Sequence, residues 1–364
     1  MKRLLHVVGA RPNFMKLAPI YRELGRHSDS IGQVIVHTGQ HYDSNMSGSF
    51  FDELNIPQPD FNLGIGGGSH GEQIGNVLIE IEKLVEQIRP DIGIVYGDVN
   101  ATISASLIFS RLGILTVHVE AGLRSGDRSM PEEINRLLTD QLSDVLLVPS
   151  RDAVDNLTRE GINSKRIHLV GNVMIDSLEW ILARNAHDDV ANKYGIDADY
   201  AVVTLHRPSN VDSPAKLKGV ISELGELAKR TPIVFPVHPR TKQKLEYQGL
   251  AQGSQDIYFC DPLGYSDFVS LLAKSRYVLT DSGGVQEETT HMNVPCITLR
   301  DNTERPVTIT EGTNMLIGSS IEDLAERVDK AFREITSRRL KSKIEMWDGQ
   351  ASKRIASILR DLKV

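Results

Sequence analysis

Short apolar, β-branched runs alternate with amphipathic stretches along the chain. Leu4–Gly9, Val34–His37, Ile92–Tyr96, Leu115–Val119, Val145–Val148 and Ile167–Val170 predict strands in the first half. Ala201–Leu205, Ile233–Val237, Ile257–Phe259, Tyr277–Thr280, Cys296–Leu299 and Met315–Ile317 predict them in the second. Apolar positions at helical spacing fill the gaps, over Gly71–Gln87, Ala101–Leu112, Ala215–Lys229 and Ile321–Ile335. The strand runs are apolar at consecutive positions, so both faces of each expect cover, as in parallel sheets with helices on both sides. Twelve strands are too many for one such sheet, and the helical, charge-ended segment Gly171–Ala198 divides them six and six. The expected fold class is therefore α/β, with two doubly wound Rossmann-like domains over 1–175 and 176–349 and a last helix near Gln350–Leu362. Open sheets of this kind bind ligands beyond the carboxyl ends of their strands, and two of them would face a shared cleft.

The residues at those strand ends carry chemistry. Tyr277–Thr280 runs into Asp281-Ser282-Gly283-Gly284 and then a helical pattern. A strand, a glycine turn and a helix start gather free N–H groups and the positive end of a helix dipole, which suits a phosphate. Glu287 and Glu288 are expected in the first helical turn, where a carboxylate caps N–H groups or reaches the hydroxyls of a ribose. The first strand ends in Gly9-Ala10-Arg11-Pro12, placing Arg11 and Lys16 at a helix opening, where two cations suit an anion. Arg300 and Arg305 follow the Cys296–Leu299 strand, and their guanidinium forks match phosphate oxygens. In the second half, His206-Arg207 and His238-Pro239-Arg240 end consecutive strands.

Three carboxylates, Asp98, Glu120 and Glu132, fall at strand tips or a helix mouth on one edge of the first sheet. Clustered carboxylates raise one another's pKa and supply a general base and a general acid. Gly66-Gly67-Gly68-Ser69-His70-Gly71 has the spacing of a dinucleotide fingerprint, but it follows Pro57-Gln58-Pro59-Asp60 rather than a strand. It reads as a mobile loop feeding a helix. His118 and Glu120 lack a third ligand at metal spacing. No cofactor, nicotinamide or metal, is expected.

Composition narrows the class. Among 364 residues, 40% are hydrophobic, ample for two cores, and the net charge of −7 argues against a nucleic-acid partner. The two cysteines, Cys260 and Cys296, lie in apolar runs and read as buried thiols of a reducing compartment. Leu4–Ala10 is short for a signal segment and no apolar run reaches membrane-spanning length, so the expected location is cytoplasmic, without a membrane partner.

Taken together, the motifs resemble those of the non-hydrolysing UDP-N-acetylglucosamine 2-epimerases. The resemblance rests on Gly-Ala-Arg-Pro from Gly9, Gly-Gln-His from Gly39, Gly97-Asp98, His-Val-Glu-Ala-Gly-Leu-Arg from His118 and Pro-Glu-Glu-Ile-Asn-Arg from Pro131. His206-Arg207, Pro-Val-His-Pro from Pro236, Asp-Ser-Gly-Gly-Val-Gln-Glu-Glu from Asp281 and Thr-Glu-Arg-Pro from Thr303 complete it, in the family's order and over almost the whole chain.

The resemblance implies a GT-B-like fold, as in nucleotide-sugar glycosyltransferases and glycogen phosphorylase, a homodimer, and a last helix crossing back to the first domain. It implies interconversion of UDP-GlcNAc and UDP-ManNAc, with UDP lost and re-added through 2-acetamidoglucal. By position, Asp98, Glu120 and Glu132 match the catalytic acids and His206 the catalytic-site histidine. Arg11, Ser282, Gly283, Gly284, Glu288 and Arg305 match the UDP contacts, with Glu288 on the ribose. Gln40 and His41 match part of a second, activating UDP-GlcNAc site; Lys16, Arg136 and His238 match further substrate or allosteric positions.

Two departures bear on the sugar. Val99-Asn100-Ala101-Thr102 stands where many members have threonines, and Pro208-Ser209-Asn210 follows His206-Arg207 where many have a charged residue. An epimerase of a diacetamido-uronic acid nucleotide would look similar. A glycosyltransferase, a UDP-sugar sensor and a hydrolysing epimerase are the rival readings. The retained acids argue against the sensor, and their clustering argues against the transferase, which needs one dominant base.

Overall fold

The computed structural model describes residues 1–39, 51–184, 190–196, 199–237, 239–250, 256–338 and 343–363. Gln40, His41 and His238 lie outside the described residues. The chain divides into two compact units, Met1–Ser177 with Glu345–Val364, and Leu178–Ile344.

The first unit alternates β1 (Lys2–Val8), α1 (Arg11–Gly25), β2 (Ile31–His37), β3 (Phe61–Asn62), α2 (His70–Ile88), β4 (Ile92–Tyr96), α3 (Asn100–Arg111), β5 (Leu115–Val119), α4 (Pro131–Leu142), β6 (Val145–Val148), α5 (Arg151–Arg159) and β7 (Ile167–Leu169). Its seven strands lie in the order β3-β2-β1-β4-β5-β6-β7 and all pair in parallel. The order reverses between β1 and β4, which opens a crevice beyond the carboxyl ends of those two strands. Next comes α6 (Val173–Arg184), and the unit boundary falls within it.

The second unit continues with β8 (Ala201–Thr204), α7 (Pro208–Val211), α8 (Pro214–Ala228), β9 (Ile233–Pro236), α9 (Pro239–Tyr247), β10 (Ile257–Cys260), α10 (Tyr265–Ala273), β11 (Tyr277–Thr280), α11 (Gly283–His291), β12 (Cys296–Thr298), α12 (Val307–Thr310), β13 (Asn314–Leu316) and α13 (Leu324–Ser337). Six parallel strands take the order β10-β9-β8-β11-β12-β13, with the reversal between β8 and β11. Among the described residues, the even division of the strands is therefore corrected to seven and six. The additional strand, β3, pairs only Phe61 with Val36 and Asn62 with His37, too short a run to show as a pattern.

Burial on both faces explains the unbroken apolar strands. In the second sheet Val203, Leu279 and Ile297 join one core with Leu217, Leu224 and Val328. Their neighbours Val202, Val234 and Val278 join another with Leu271, Leu272 and Val285. In the first unit Leu5, Val7, Val36 and Val95 pack with Val77, Ile81 and Phe109.

The last helix, α14 (Ala351–Asp361), belongs to the first unit and packs on α1. Ile355, Ala356 and Leu359 give it a buried stripe. Its first N–H groups are capped from a distance: the Asp176 carboxylate accepts from Ala351 N at 3.1 Å and Ser352 N at 2.8 Å.

Candidate functional site

The carboxyl edge of the first sheet holds an acid cluster. Strand β5 ends at Val119, and Glu120 then takes φ +73°, a conformation that costs a non-glycine residue about 1–3 kcal/mol. The cause is a bulge: Glu120 N and Ala121 N both donate to Leu147 O, each at 3.1 Å, which re-aims the Glu120 side chain. Its buried carboxylate pairs with Lys16 of α1. The neighbouring strand β4 ends at Tyr96, and Gly97 follows at φ +62°, where a Cβ would stand 2.9 Å from Lys16 Nζ and 3.2 Å from Glu120 Oε2, a position that suits glycine. Asp98 follows, partly exposed, with its Oδ2 3.0 Å from Arg136 Nε.

Helix α4 sorts two adjacent glutamates by role. Glu133 is buried and accepts from Ser125 N and Gly126 N at 2.9 and 3.0 Å while pairing with Arg136. Burial alone would raise its pKa, but these hydrogen bonds and the Arg136 charge hold it below the usual carboxylate value. Glu132, one turn before Arg136, is exposed in the first turn of the helix. Glu120 and Lys16 thus meet beside Gly97, which precedes Asp98, and Arg136 ties α4 to Asp98.

At the crevice between β1 and β4, Asn13 makes the join. Its Oδ1 accepts from Gly9 N at 3.0 Å and Ala10 N at 3.1 Å, and its Nδ2 donates to Tyr96 O at 3.0 Å. Arg11 opens α1 beside it, half-buried. Lys16, expected to meet an anion at this helix start, instead pairs with Glu120.

Among the described residues no group of three or more histidines, cysteines, aspartates and glutamates is placed to hold a metal ion. The nitrogens of His118 are occupied otherwise, Nδ1 by Asp140 Oδ1 at 2.7 Å and Nε2 by Gly97 O at 2.8 Å.

In the second unit the helix after β11 begins earlier than its sequence pattern indicated. Gly283 and Gly284 are already helical, with Ser282 as N-cap, so Glu287 and Glu288 fall in the second turn and the first turn holds no acid. Both glutamates are buried and neither caps the helix. Glu287 Oε1 lies 2.8 Å from Arg305 Nε, and Glu288 Oε1 accepts from Tyr265 Oη at 2.9 Å. Arg305 also pairs with Glu304, whose other oxygen meets Arg300 at 2.7 Å. A Cβ on Gly283 would collide with the Arg305 guanidinium and the Glu304 carboxylate, which places Arg305 against the mouth of α11.

Asp281 joins the tips of β8 and β11. It accepts from His206 N at 3.1 Å, Arg207 N at 3.0 Å and Asn210 Nδ2 at 3.0 Å, and its Oδ1 lies 3.0 Å from His206 Nδ1. Burial would raise its pKa; the His206 contacts, Asn210 and Arg207 N more than offset this and hold it low. Asn13, Asp140 and Asp281 were not found as site residues by reading strand tips, because their role is to accept from or donate to backbone groups distant in sequence. Asp281 does lie within the phosphate-loop motif.

The family model described as UDP-N-acetylglucosamine 2-epimerase matches residues 22–360. The chain belongs to that epimerase family. It is 43% identical to UDP-N-acetylglucosamine 2-epimerase of Methanocaldococcus jannaschii, over 98% of each chain. It is 40% identical to UDP-2,3-diacetamido-2,3-dideoxy-D-glucuronate 2-epimerase of Pseudomonas aeruginosa, over 99% of this chain and all of that one. Among solved structures it is similar to the M. jannaschii epimerase in complex with UDP-GlcNAc and UDP, with TM-score 0.88, 41% identity and coverage of 98% and 99%. It is also similar to the Neisseria meningitidis epimerase bound to UDP-GlcNAc, with TM-score 0.88, 30% identity and coverage of 99% and 100%. The fold, two Rossmann-like halves of GT-B-like type, is that of these epimerases.

Proposed function

We propose that this epimerase interconverts UDP-GlcNAc and UDP-ManNAc by eliminating and re-adding UDP. The observation that carries the reading is the acid cluster of the first sheet, with Glu120 held in a strained backbone so that its carboxylate meets Lys16 beside the Asp98 loop. The sugar C2–H has no adjacent carbonyl, so direct deprotonation is unfavourable. In the proposed step a carboxylate takes the C2 proton, the C–H electron pair forms the C1=C2 bond, and the C1–O bond breaks to release UDP. Protonation of the 2-acetamidoglucal at C2 from the other face and return of UDP to C1 give the epimer. Two faces need two proton-transfer groups, for which Asp98, Glu120 and Glu132 are the candidates, with His206 beside the reacting sugar. The mouth of α11 at Ser282–Gly284, with Arg11 and Arg305, takes the diphosphate, and Glu288 the ribose. The reaction is redox-neutral and calls for no cofactor; turnover is expected to survive EDTA and exhaustive dialysis.

Incubation with UDP-GlcNAc in D2O, followed by proton NMR, tests this. Deuterium at C2 of the epimer is the expected result; epimer without it overturns the mechanism. A second substrate is favoured by the full-length similarity to the P. aeruginosa diacetamido-uronate epimerase, within a few percent of the identity to the M. jannaschii enzyme. Measuring kcat/KM on both nucleotide sugars decides between them. The second nucleotide site rests on Gln40 and His41. A lag from pure UDP-ManNAc that trace UDP-GlcNAc relieves is its expected signature.

A homodimer is supported by Ile79, Leu107, Leu112 and Leu138, large apolar side chains exposed on or at the end of the adjacent helices α2, α3 and α4. Leu138→Lys is expected to yield monomer in sedimentation. Two free thiols, Cys260 and Cys296, suit a reducing cytoplasm.

A further inference from the structure

His118 and Asp140 are fully buried and take no part in the proton transfers above. Their four contacts nevertheless reach every element that carries one of the proposed acids. Asp140 lies on α4, the helix that opens with Glu132. Its Oδ2 accepts from Gly122 N at 3.1 Å, two residues beyond Glu120, and lies 2.8 Å from Arg124 Nη1. Its Oδ1 faces His118 Nδ1 at 2.7 Å, and His118 Nε2 reaches Gly97 O at 2.8 Å, the carbonyl that precedes Asp98. His118 itself is on β5, two residues before Glu120. The Gly97 carbonyl and the Asp140 carboxylate are both acceptors, one at each ring nitrogen.

We infer that the His118–Asp140 pair is a positioning device that fixes the Asp98 loop, the Glu120 bulge and the Glu132 helix relative to one another. The inference rests on the assignment of those acids as the proton-transfer groups. The charge pattern fits it. Burial would push Asp140's pKa up, yet the His118 and Arg124 charges and hydrogen bonds hold it below the ordinary carboxylate value, so an anion is maintained at the crossing of the three elements. A pair needed only for stability is commonly replaceable by apolar groups at little cost. A pair that orients two proton-transfer groups on opposite faces of one carbon is not, because misplacement by about 1 Å costs on the order of 10²-fold in rate.

Asp140→Asn and His118→Gln keep size and part of the hydrogen bonding, and provide two chances of a folded variant. In each, kcat for UDP-GlcNAc epimerisation is expected to fall about 10²-fold with KM changed less than about 3-fold. Free 2-acetamidoglucal and UDP are expected to accumulate, because the two half-reactions lose alignment unequally. Crystal structures of the wild type and the variants are expected to show the Asp98 and Glu120 carboxylates displaced relative to Glu132. Folded variants with unchanged kcat, or with a KM rise at constant kcat, overturn the inference. Variant crystals with the three carboxylates superimposed on the wild type overturn it whatever the substrate. A wild type that does not epimerise the nucleotide sugar refutes the functional reading instead, and the crystal comparison then still decides the positioning role.

Discussion

At the crevice of the first sheet, the tips of β1 and β4 are joined by a neutral amide, Asn13; at that of the second, the tips of β8 and β11 are joined by a carboxylate, Asp281. The contrast extends outward from both joints. In the first unit buried cations hold acids: Lys16 on Glu120, Arg136 on Asp98 and Glu133. In the second, buried acids hold basic groups: Asp281 the His206 ring, Glu287 and Glu304 the Arg305 guanidinium, and Glu304 that of Arg300. Each unit fixes the groups it presents with partners of opposite charge. A site that moves protons needs carboxylates whose charge changes, held by charges that do not. A site that binds a diphosphate needs guanidinium groups preset in direction, so that less side-chain freedom is lost on binding.

The sharpest way to break this comparison is to neutralise the acids one at a time. Asp98→Asn, Glu120→Gln and Glu132→Gln keep size and most hydrogen bonds but remove proton transfer, which typically contributes ~10²–10⁴-fold in rate. Each is expected to fold, bind UDP as the wild type does, and lose epimerisation by that order. At least one is expected to release glucal and UDP. Near-normal turnover in all three would show that the cluster is structural. Glu120→Gln has a second consequence, because it leaves Lys16 buried without its anion, so its melting temperature should fall more than that of Glu132→Gln, whose site is exposed.

Removing a held cation from the second unit is the converse test. Arg305→Ala deletes the proposed charge-assisted contact to phosphate, of a kind typically worth ~1.5–3 kcal/mol, so calorimetry should show UDP affinity reduced by roughly 10- to 100-fold. The same change removes the Arg305 partner of buried Glu287, while Glu304 keeps Arg300, and removing one partner of a buried pair costs about 3–5 kcal/mol. Saturating UDP should therefore rescue the melting temperature of this variant less than that of the wild type. Unchanged UDP affinity would remove Arg305 from the phosphate site and leave it a purely structural cation.

What the sequence shows of all this follows from range. Strands and long helices are local patterns, and Val202 beside Val203, each buried on a different face, is visible as an unbroken apolar run. The acids and the glycine turn are visible because strand ends are where this architecture binds ligands. The holding groups are not, since nothing near Asp140 in sequence points to Gly97 or His118, and nothing near Glu304 points to Gly283. Helix starts are also less legible than helix bodies. Two glycines read as turn, yet Gly283 and Gly284 are helical, with Ser282 at the N-cap, and Arg305 packs where a side chain on Gly283 would stand.

A milder measurement distinguishes the units by their response to acid. His6 lies on β1 in the core of the first unit, with Nδ1 2.7 Å from Tyr96 Oη, and burial depresses its pKa from 6.5 to about 3, against a smaller opposing contribution from Gln33. Unfolding exposes it and restores the ordinary value near 6.5. Between these values the unfolded chain binds a proton that the folded chain refuses, so stability falls as pH falls through that window and is fully present above it. From pH 7.5 to 5 the loss from this one group is about 2 kcal/mol. The depressed aspartates Asp140 and Asp281 do not share the window, because both stay ionised in either state until the pH nears 3.8. Denaturant unfolding at pH 7.5 and 5, followed by hydrogen exchange in each unit, should therefore show the first unit losing protection in the strands around His6 while the second holds. His6→Gln should flatten that pH dependence while leaving the second unit's behaviour alone. A variant as acid-labile as the wild type would trace the sensitivity to another group.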